Sequence, residues 1–410
     1  MFAVLIKNRD VRRLFIADNI SIIGDYFSYV ALAGLVKEIT DSNFLVALVY
    51  VAFTMPFFFT TPLAGPVIDK FNRRNVIVVV SLLQAVCAVG FLFASDSRIW
   101  IAFAAQIGIT CLSAFVNPAF SAALPNIVKD DEELRQANAL FGSSWGAMVF
   151  IGAAAGGLFS QAFGRTATFT ADIATFVICA GLVALVKTPM QEKRGEHHST
   201  VIKPIADMKE ALHYAKSDHT VLALLASKTT FAIGAGAVSQ LAVLAIDAFG
   251  TGDGGTGVIL AARGVGAAVG PYVMMRFVKN NLPRLLGVCG YAGLVYALLY
   301  IGAAASPNIV FACLFIFGAH FGGGAQWTLS SYGLQVRAPD NIRGRILSAD
   351  YAFATLMMGV SSIVAGILGE FLPIRTSIAI MGLTSGMAAV VYLFGTAKLR
   401  ARLRSEQPQQ

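Results

Sequence analysis

The sequence predicts an all-α membrane protein, and two observations support this class. Only 13% of the 410 residues are charged, whereas 56% are hydrophobic and the mean hydropathy is +0.69. Soluble proteins carry roughly 25% charged residues. The apolar residues also occur in repeated runs of about 20, the length with which a helix crosses roughly 30 Å of hydrocarbon. A soluble enzyme is therefore excluded, and a bundle of membrane-spanning helices is expected.

Twelve spans are predicted from these runs. They cover residues 12–36, 44–65, 75–95, 99–122, 138–163, 166–187, 220–246, 256–278, 284–305, 308–331, 346–370 and 373–397. An even number of spans places both termini on one face, called the terminal face here; the opposite face is called the distal face.

The basic residues are distributed unequally between the two faces. Of 31 Lys and Arg, 25 fall on the terminal face, four on the distal face, and two within spans, Lys228 and Arg263. Such a bias marks the cytoplasmic side, so we expect a bacterial-type inner membrane with both termini in the cytoplasm. Anionic lipid accounts for the net charge of +8, and no nucleic-acid partner is needed.

Two similar halves are predicted. A six-helix bundle at 1–187 is followed by a cytoplasmic linker at 188–219, a second six-helix bundle at 220–397 and a cytoplasmic tail at 398–410. Residues 126–138 and 335–348 repeat at an offset of about 209 residues. In the linker, the spacing of Ile205, Met208, Leu212 and Ala215 predicts an amphipathic helix on the membrane surface. Two bundles facing each other across a cavity suit alternating access.

The connection between spans two and three contains a motif of glycine, aspartate and paired arginine: Gly65, Asp69, Arg73 and Arg74. Asp69 can accept hydrogen bonds from a helix amino terminus or from an arginine across the bundle interface, and the arginine pair is expected to face anionic headgroups. The motif resembles the signature loop of the major facilitator superfamily. The resemblance implies a gate between inward and outward states.

Six further stretches resemble the efflux branch of that superfamily that includes macrolide and enterobactin exporters. They are residues 117–125 (Asn117-Pro118-Ala119-Phe120 and onward), 134–140, 21–25, 172–176, 261–266 and 339–345. The resemblance implies a twelve-helix transporter. Span five departs from the pattern of antiporters, because the small residues of 152–157 include no Gly-Pro pair.

Ionisable residues inside a bilayer cost roughly 2.5 to 3.5 kcal/mol on insertion scales, so each is a candidate functional residue. In span one, Asp18, Ser21, Asp25 and Ser28 lie on one helical face. Asp25 lies near midspan, where burial opposes the ionised form, and it is the first candidate for the proton carrier. Lys228 of span seven is a candidate partner for Asp25.

Asp172 and His320 follow as candidates for proton coupling. Arg263 falls in the outer third of its predicted span, where an outer-gate partner, an anion contact and a side chain extending to the headgroups stay open. His320 and Gln326 of span ten either line the cavity or pack between helices.

At the inner ends of the second half we expect a gate in which Asp350 meets Arg343 or Arg345. Glu370, at the outer end of span eleven, is expected to be solvated.

These features predict a secondary active transporter that exports a small amphipathic solute, such as a drug, macrolide or siderophore, in exchange for protons. A lipid or lysolipid transporter is the alternative within transport, and a membrane scaffold or sensor is the alternative outside it. We expect a monomer without a cofactor. No metal site is expected, since the cysteines lie singly in apolar runs. The sequence contains no Walker loop and no nucleophile paired with a base, so an enzyme is not expected.

Overall fold

The computed structural model describes residues 3–191, 204–279 and 281–406. Within these residues the chain is helical, and twelve helices are long and apolar enough to cross a membrane. In order, spans one to twelve are Arg9–Thr40, Asn43–Ala64, Arg73–Phe93, Asp96–Ile127, Ser144–Phe163, Arg165–Ala184, His219–Ala248, Gly252–Val278, Leu282–Ala304, Ile309–Arg337, Ile342–Phe371 and Ile374–Gly395. The predicted all-α, twelve-span class is confirmed.

Several of these helices begin at a polar side chain that accepts hydrogen bonds from the first turn. The first backbone N–H groups of a helix have no partner within it, so such caps define where the helix starts. The capping residues are Asn8, Ser42, Asn72, Asp130, Asp218, Asn281 and Asn308. The short connections therefore contain the signals that separate consecutive helices.

The two halves start their helices in register. Spans five and eleven are the apolar parts of the longer helices Asp131–Phe163 and Asp340–Phe371. Three helices of the first half begin 209 residues before their counterparts, in the pairs Asn43 and Gly252, Asp131 and Asp340, and Arg165 and Ile374. This spacing agrees with the internal repeat in the sequence.

Spans five and eight pack closely where the halves meet. A Cβ atom on Gly157 would lie 2.6 Å from the Asp253 carbonyl oxygen and 2.8 Å from the Gly257 Cα, so a larger residue cannot fit there. The adjacent Gly156 approaches Phe27 of span one, whose Cα would lie 2.8 Å from a Cβ atom on the glycine. The small residues of span five thus bring three helices together without the Gly-Pro pair.

The predicted linker helix is present as Pro204–Ser217, and it packs against the second half. Ala211 and Ala215 are buried, whereas Leu212 is 48% exposed. The alanines therefore face the bundle and Leu212 faces away from it, and the position of the helix on the membrane surface stays a prediction. Part of the predicted linker, residues 192–203, lies outside the described residues.

Candidate functional site

Three carboxyl groups lie between spans one and six. Asp172 is fully buried and accepts a hydrogen bond from the Ser28 hydroxyl group of span one. Asp25 is half-buried and interacts electrostatically with Asp172 and Asp18. Gly24 lets span six approach span one closely here, because a Cβ atom there would lie 2.5 Å from Asp172 Oδ1. The polar face of span one therefore faces another helix rather than lipid.

None of these three aspartates forms an ion pair within the described part of the chain. An ionised carboxylate without a cation is costly in a medium of low polarity, and taking up a proton removes that cost. The cluster of Asp18, Asp25 and Asp172 is called the carboxyl cluster below. Its chemistry suits binding and release of a proton.

The second half contains a buried ion pair between Lys228 of span seven and Asp350 of span eleven. Both side chains are 3% exposed. Lys228 also donates to the Ser331 hydroxyl group at 2.7 Å, and its Nζ lies 4.6 Å from the centroid of the Trp327 ring. The ammonium group is thus surrounded by partners from spans ten and eleven.

This ion pair corrects two expectations. In this structure Lys228 does not pair with Asp25, because Asp350 of its own half is the nearer carboxylate. Asp350 was expected to meet Arg343 or Arg345, but it lies one to two helical turns deeper than both. Arg345 instead pairs with Glu210 of the linker helix at 2.7 Å, and Arg343 donates from Nε to the Ala338 carbonyl oxygen at 3.3 Å.

The motif of the first half is partly helical. Gly65 and Asp69 belong to the helix Pro56–Lys70 rather than to a loop, and their side chains lie outside the described ones. Arg73 donates to the Ala122 carbonyl oxygen at 2.7 Å. Arg74 donates to the Thr188 carbonyl oxygen at 3.2 Å.

The two arginines therefore connect the start of span three to the ends of spans four and six. Backbone carbonyl groups at the helix ends accept their hydrogen bonds, and the contact of the pair with anionic headgroups stays a prediction.

Arg263 is buried between the two halves, with 7% of its surface exposed. It lies 11 residues after Gly252 in a helix of 27 residues, close to the middle of span eight. The prediction of an outer-third position was wrong because the helix begins earlier than expected. Burial also excludes a side chain that extends to the headgroups.

Four tyrosines lie close enough to Arg263 to interact with it electrostatically. They come from span one, span two and span nine: Tyr26, Tyr29, Tyr50 and Tyr300. Neither half provides a carboxylate that pairs with Arg263 among the described residues. Arg263 and these four tyrosines are called the Arg263 site.

His320 and Gln326 of span ten are buried inside the second half. His320 Nε2 lies 2.8 Å from the Tyr300 hydroxyl group, so this histidine contacts a member of the Arg263 site. Gln326 Nε2 donates to the Ser227 carbonyl oxygen at 2.5 Å and to Thr230 Oγ1 at 2.7 Å. In this structure Gln326 therefore packs between spans ten and seven, and it adjoins the Lys228 segment.

At the distal face, ion pairs connect the two halves. Arg165, which begins span six, makes hydrogen bonds of 2.9 and 3.1 Å to Asp253, which begins span eight. Arg165 also pairs with Glu38 at 2.5 Å, and Lys37 pairs with Asp247 of span seven at 2.8 Å. These five residues are called the distal latch.

Sequence reasoning missed the distal latch. Lys37 and Arg165 were counted as ordinary cations at span ends, but each lies at the end of a helix opposite an acidic residue of the other half. The pKa of Asp41, in the turn after span one, is also lowered by its hydrogen bond from Lys37. Acidic and basic residues occur together at the ends of spans one, six, seven and eight, and this pattern in the sequence could have indicated the distal latch.

Glu370 also connects the two halves at the distal face. It accepts hydrogen bonds from the Ser42 hydroxyl group and, at 2.7 Å, from the Phe44 backbone N–H at the start of span two. Glu370 is exposed to solvent, as expected, but it also makes these two hydrogen bonds across the halves. The free N–H groups at the start of a helix attract a carboxylate, and span two begins opposite the end of span eleven.

Comparisons with known proteins agree with this architecture. The family model described as "Transmembrane secretion effector" matches residues 2–409. The putative bacilysin exporter BacE of Bacillus subtilis (strain 168) is 24% identical over 350 residues, which cover 85% of this chain and 86% of the relative. The multidrug efflux pump Tap of Mycolicibacterium fortuitum is 25% identical over 389 residues, 90% of this chain and 92% of the relative.

Solved structures share the fold at low sequence identity. A bacterial homologue of the human lysosomal transporter Spinster, in an inward-facing and unoccupied conformation, superposes with a TM-score of 0.73 at 14% identity over 98% of each chain. A peptide transporter POT in complex with alafosfalin gives 0.76 at 12% identity, over 97% of this chain and 96% of the other.

The match over nearly the whole chain, together with the twelve spans and the two halves in register, establishes the family. The two relatives are named as a putative exporter and as an efflux pump, and the fold neighbours are transporters. The chain therefore belongs to the transmembrane secretion effector family of the major facilitator superfamily, a family of membrane transporters rather than enzymes.

Proposed function

We propose that this protein exports a small amphipathic solute across a bacterial inner membrane, in exchange for protons, by alternating access. The distal latch is the observation that carries the proposal. It connects the halves through charged groups at the distal end of the path that a cargo would follow. Salt bridges between rigid bundles can break and re-form as the bundles rock, whereas a static scaffold has no need of them.

The carboxyl cluster supports proton coupling. Asp25 is half-buried and has no cation partner among the described residues, so it can bind a proton from one side and release it to the other as the surroundings change. Asp172 and Asp18 lie beside it and are the next candidates. The Lys228 and Asp350 pair is a second charge pair that can respond to the same movement.

The relatives support the direction and the cargo class. One is named as a putative exporter of bacilysin and another as a multidrug efflux pump, which favours outward movement of small organic molecules. The 25-to-4 distribution of basic residues favours cytoplasmic termini, so the distal face would be the extracellular face. We propose a monomer, since each half packs directly against the other.

The test is transport by the purified full-length protein in liposomes. Radiolabelled macrolide, hydrophobic dipeptide and lysophosphatidylcholine are compared, each with and without a pH gradient. The proposal predicts that a pH gradient drives movement of the macrolide or of the dipeptide. A protonophore should abolish this movement. Movement of lysophosphatidylcholine alone would support the lipid alternative, and no protein-dependent movement of any of the three would contradict a transport role.

Orientation is tested separately. A cysteine replacing exposed Lys209 in the linker helix should react with an impermeant thiol reagent only after the membrane is opened. Labelling in intact cells would contradict the proposed orientation, because it would place the linker on the outside.

A further inference from the structure

Arg263 has an unusual environment for a buried cation. Its guanidinium group is surrounded by neutral phenols from both halves, and its Nε atom is buried without a hydrogen-bond partner. Removing a cation from water costs several kcal/mol unless an anion compensates it. Tyrosine hydroxyl groups can accept a hydrogen bond, but they do not neutralise the charge.

The neighbouring acids do not provide the missing anion. Asp25 precedes Tyr26 in span one, but it forms no ion pair with Arg263 among the described residues. Asp253 lies on the same helix as Arg263, but Arg165 and the Ser160 hydroxyl group bind its carboxylate. No carboxylate of the described chain therefore pairs with Arg263.

We propose that the Arg263 site binds an oxyanion group of the cargo. This inference rests on the proposed export function and names the substrate class, an amphipathic solute with a carboxylate. The planar guanidinium fork matches the two oxygens of a carboxylate, and the unpaired Nε supplies a donor for it.

The tyrosines supply two further features that such a cargo requires. Tyrosine hydroxyl groups can donate hydrogen bonds, and the Tyr300 hydroxyl group is held in place by its contact with His320 Nε2 at 2.8 Å. Their ring faces offer an apolar surface next to the anion. Three of the four rings belong to the first half and one to the second, so a bound cargo contacts both bundles and can bias their relative position.

The experiment compares two probes that differ only in charge. Binding of N-acetyl-L-phenylalanine and of its amide to the full-length protein in nanodiscs is measured by equilibrium dialysis. We expect the acid to bind at least about tenfold more tightly than the amide, and Arg263→Gln to reduce this preference to less than about threefold. Arg263→Lys, which keeps the charge but loses the fork, should give an intermediate preference.

Two variants control for folding and for general charge effects. Tyr50→Phe leaves the arginine in place and should weaken binding of the acid, but not of the amide, by about three- to tenfold. Arg98→Gln removes an exposed cation of the distal face and should change neither affinity. Phenyl phosphate, measured in the same way, distinguishes a carboxylate site from a phosphate site.

Tighter binding of phenyl phosphate than of the acid, lost in Arg263→Gln, would support the oxyanion site with phosphate as the group bound. Equal affinity for acid and amide, a preference that survives in Arg263→Gln, or no saturable binding of either anion would overturn the inference. These outcomes differ from failure of the export function, which appears as absent transport whatever the binding preference.

Discussion

The two halves share one fold but differ in how their buried charges are arranged. The first half contains the carboxyl cluster, in which three aspartates have no cation partner among the described residues. The second half contains the two intramembrane cations, one paired within its own bundle as Lys228 and Asp350 and one, Arg263, facing tyrosines of both bundles. The difference suggests a division of labour in which the first half handles protons and the second half handles the anionic part of the cargo.

The largest expected effect concerns stability of the second half. Lys228→Ala leaves Asp350 buried and unpaired, which should lower the free energy of unfolding by about 3–5 kcal/mol. Reversible denaturation by sodium dodecyl sulfate, followed by tryptophan fluorescence, measures this change. The double variant Lys228→Met with Asp350→Leu removes both charges and should recover most of the loss. An equal loss in single and double variants would show that packing, not the unpaired charge, is responsible.

The next effect concerns the distal latch. Arg165→Gln removes the hydrogen bonds to Asp253 and Glu38, so the population open at the distal face should rise about tenfold, which corresponds to about 1.4 kcal/mol. Spin labels at the exposed residues Ser97 and Ala305, in a background without the native cysteines, report the distance between halves.

Arg98→Gln, an exposed arginine of the same face, is the matched control for Arg165→Gln. The role of the latch would be contradicted if both variants gave the distance distribution of the native protein.

The smallest effect is expected at Glu370. Glu370→Gln keeps the shape of the side chain but weakens the hydrogen bonds from Ser42 and Phe44, and the site is exposed to solvent. The same pair of spin labels should therefore report only a two- to threefold rise in the open population, roughly the effect of a surface ion pair. A change as large as that of Arg165→Gln would instead show that the principal connection between the halves lies between spans two and eleven.

The fold could be predicted closely from the sequence because membrane spans depend on local properties. Runs of apolar residues predicted the twelve helices, and the 209-residue repeat predicted the two halves. The polar face of span one was predicted from the spacing of Asp18, Asp25 and Ser28, and the Ser28 contact with Asp172 agrees with it. Length, hydropathy and helical periodicity were sufficient for these features.

The partners of charged residues could not be predicted in the same way. Lys228 and Asp350 are 122 residues apart, and their contact depends on how spans seven and eleven pack. Arg263 was predicted too close to the outer end of span eight. The first turn of this helix is rich in glycine and contains Asp253, so the apolar pattern predicted a later start. The latch between Arg165 and Asp253 requires knowledge of which turns face each other across the halves.

The most direct test of this division between the halves is cargo movement in proteoliposomes with Asp25→Asn. A pH gradient drives net uptake in one assay, and exchange of labelled for unlabelled cargo without a gradient is measured in the other. Asp96→Asn, an exposed aspartate of the distal face, is the matched control. The account predicts that Asp25→Asn loses gradient-driven uptake but retains exchange and binding of the anionic probe. Gradient-driven uptake equal to that of the native protein would contradict the role of Asp25 and shift the proton site to Asp172 or His320.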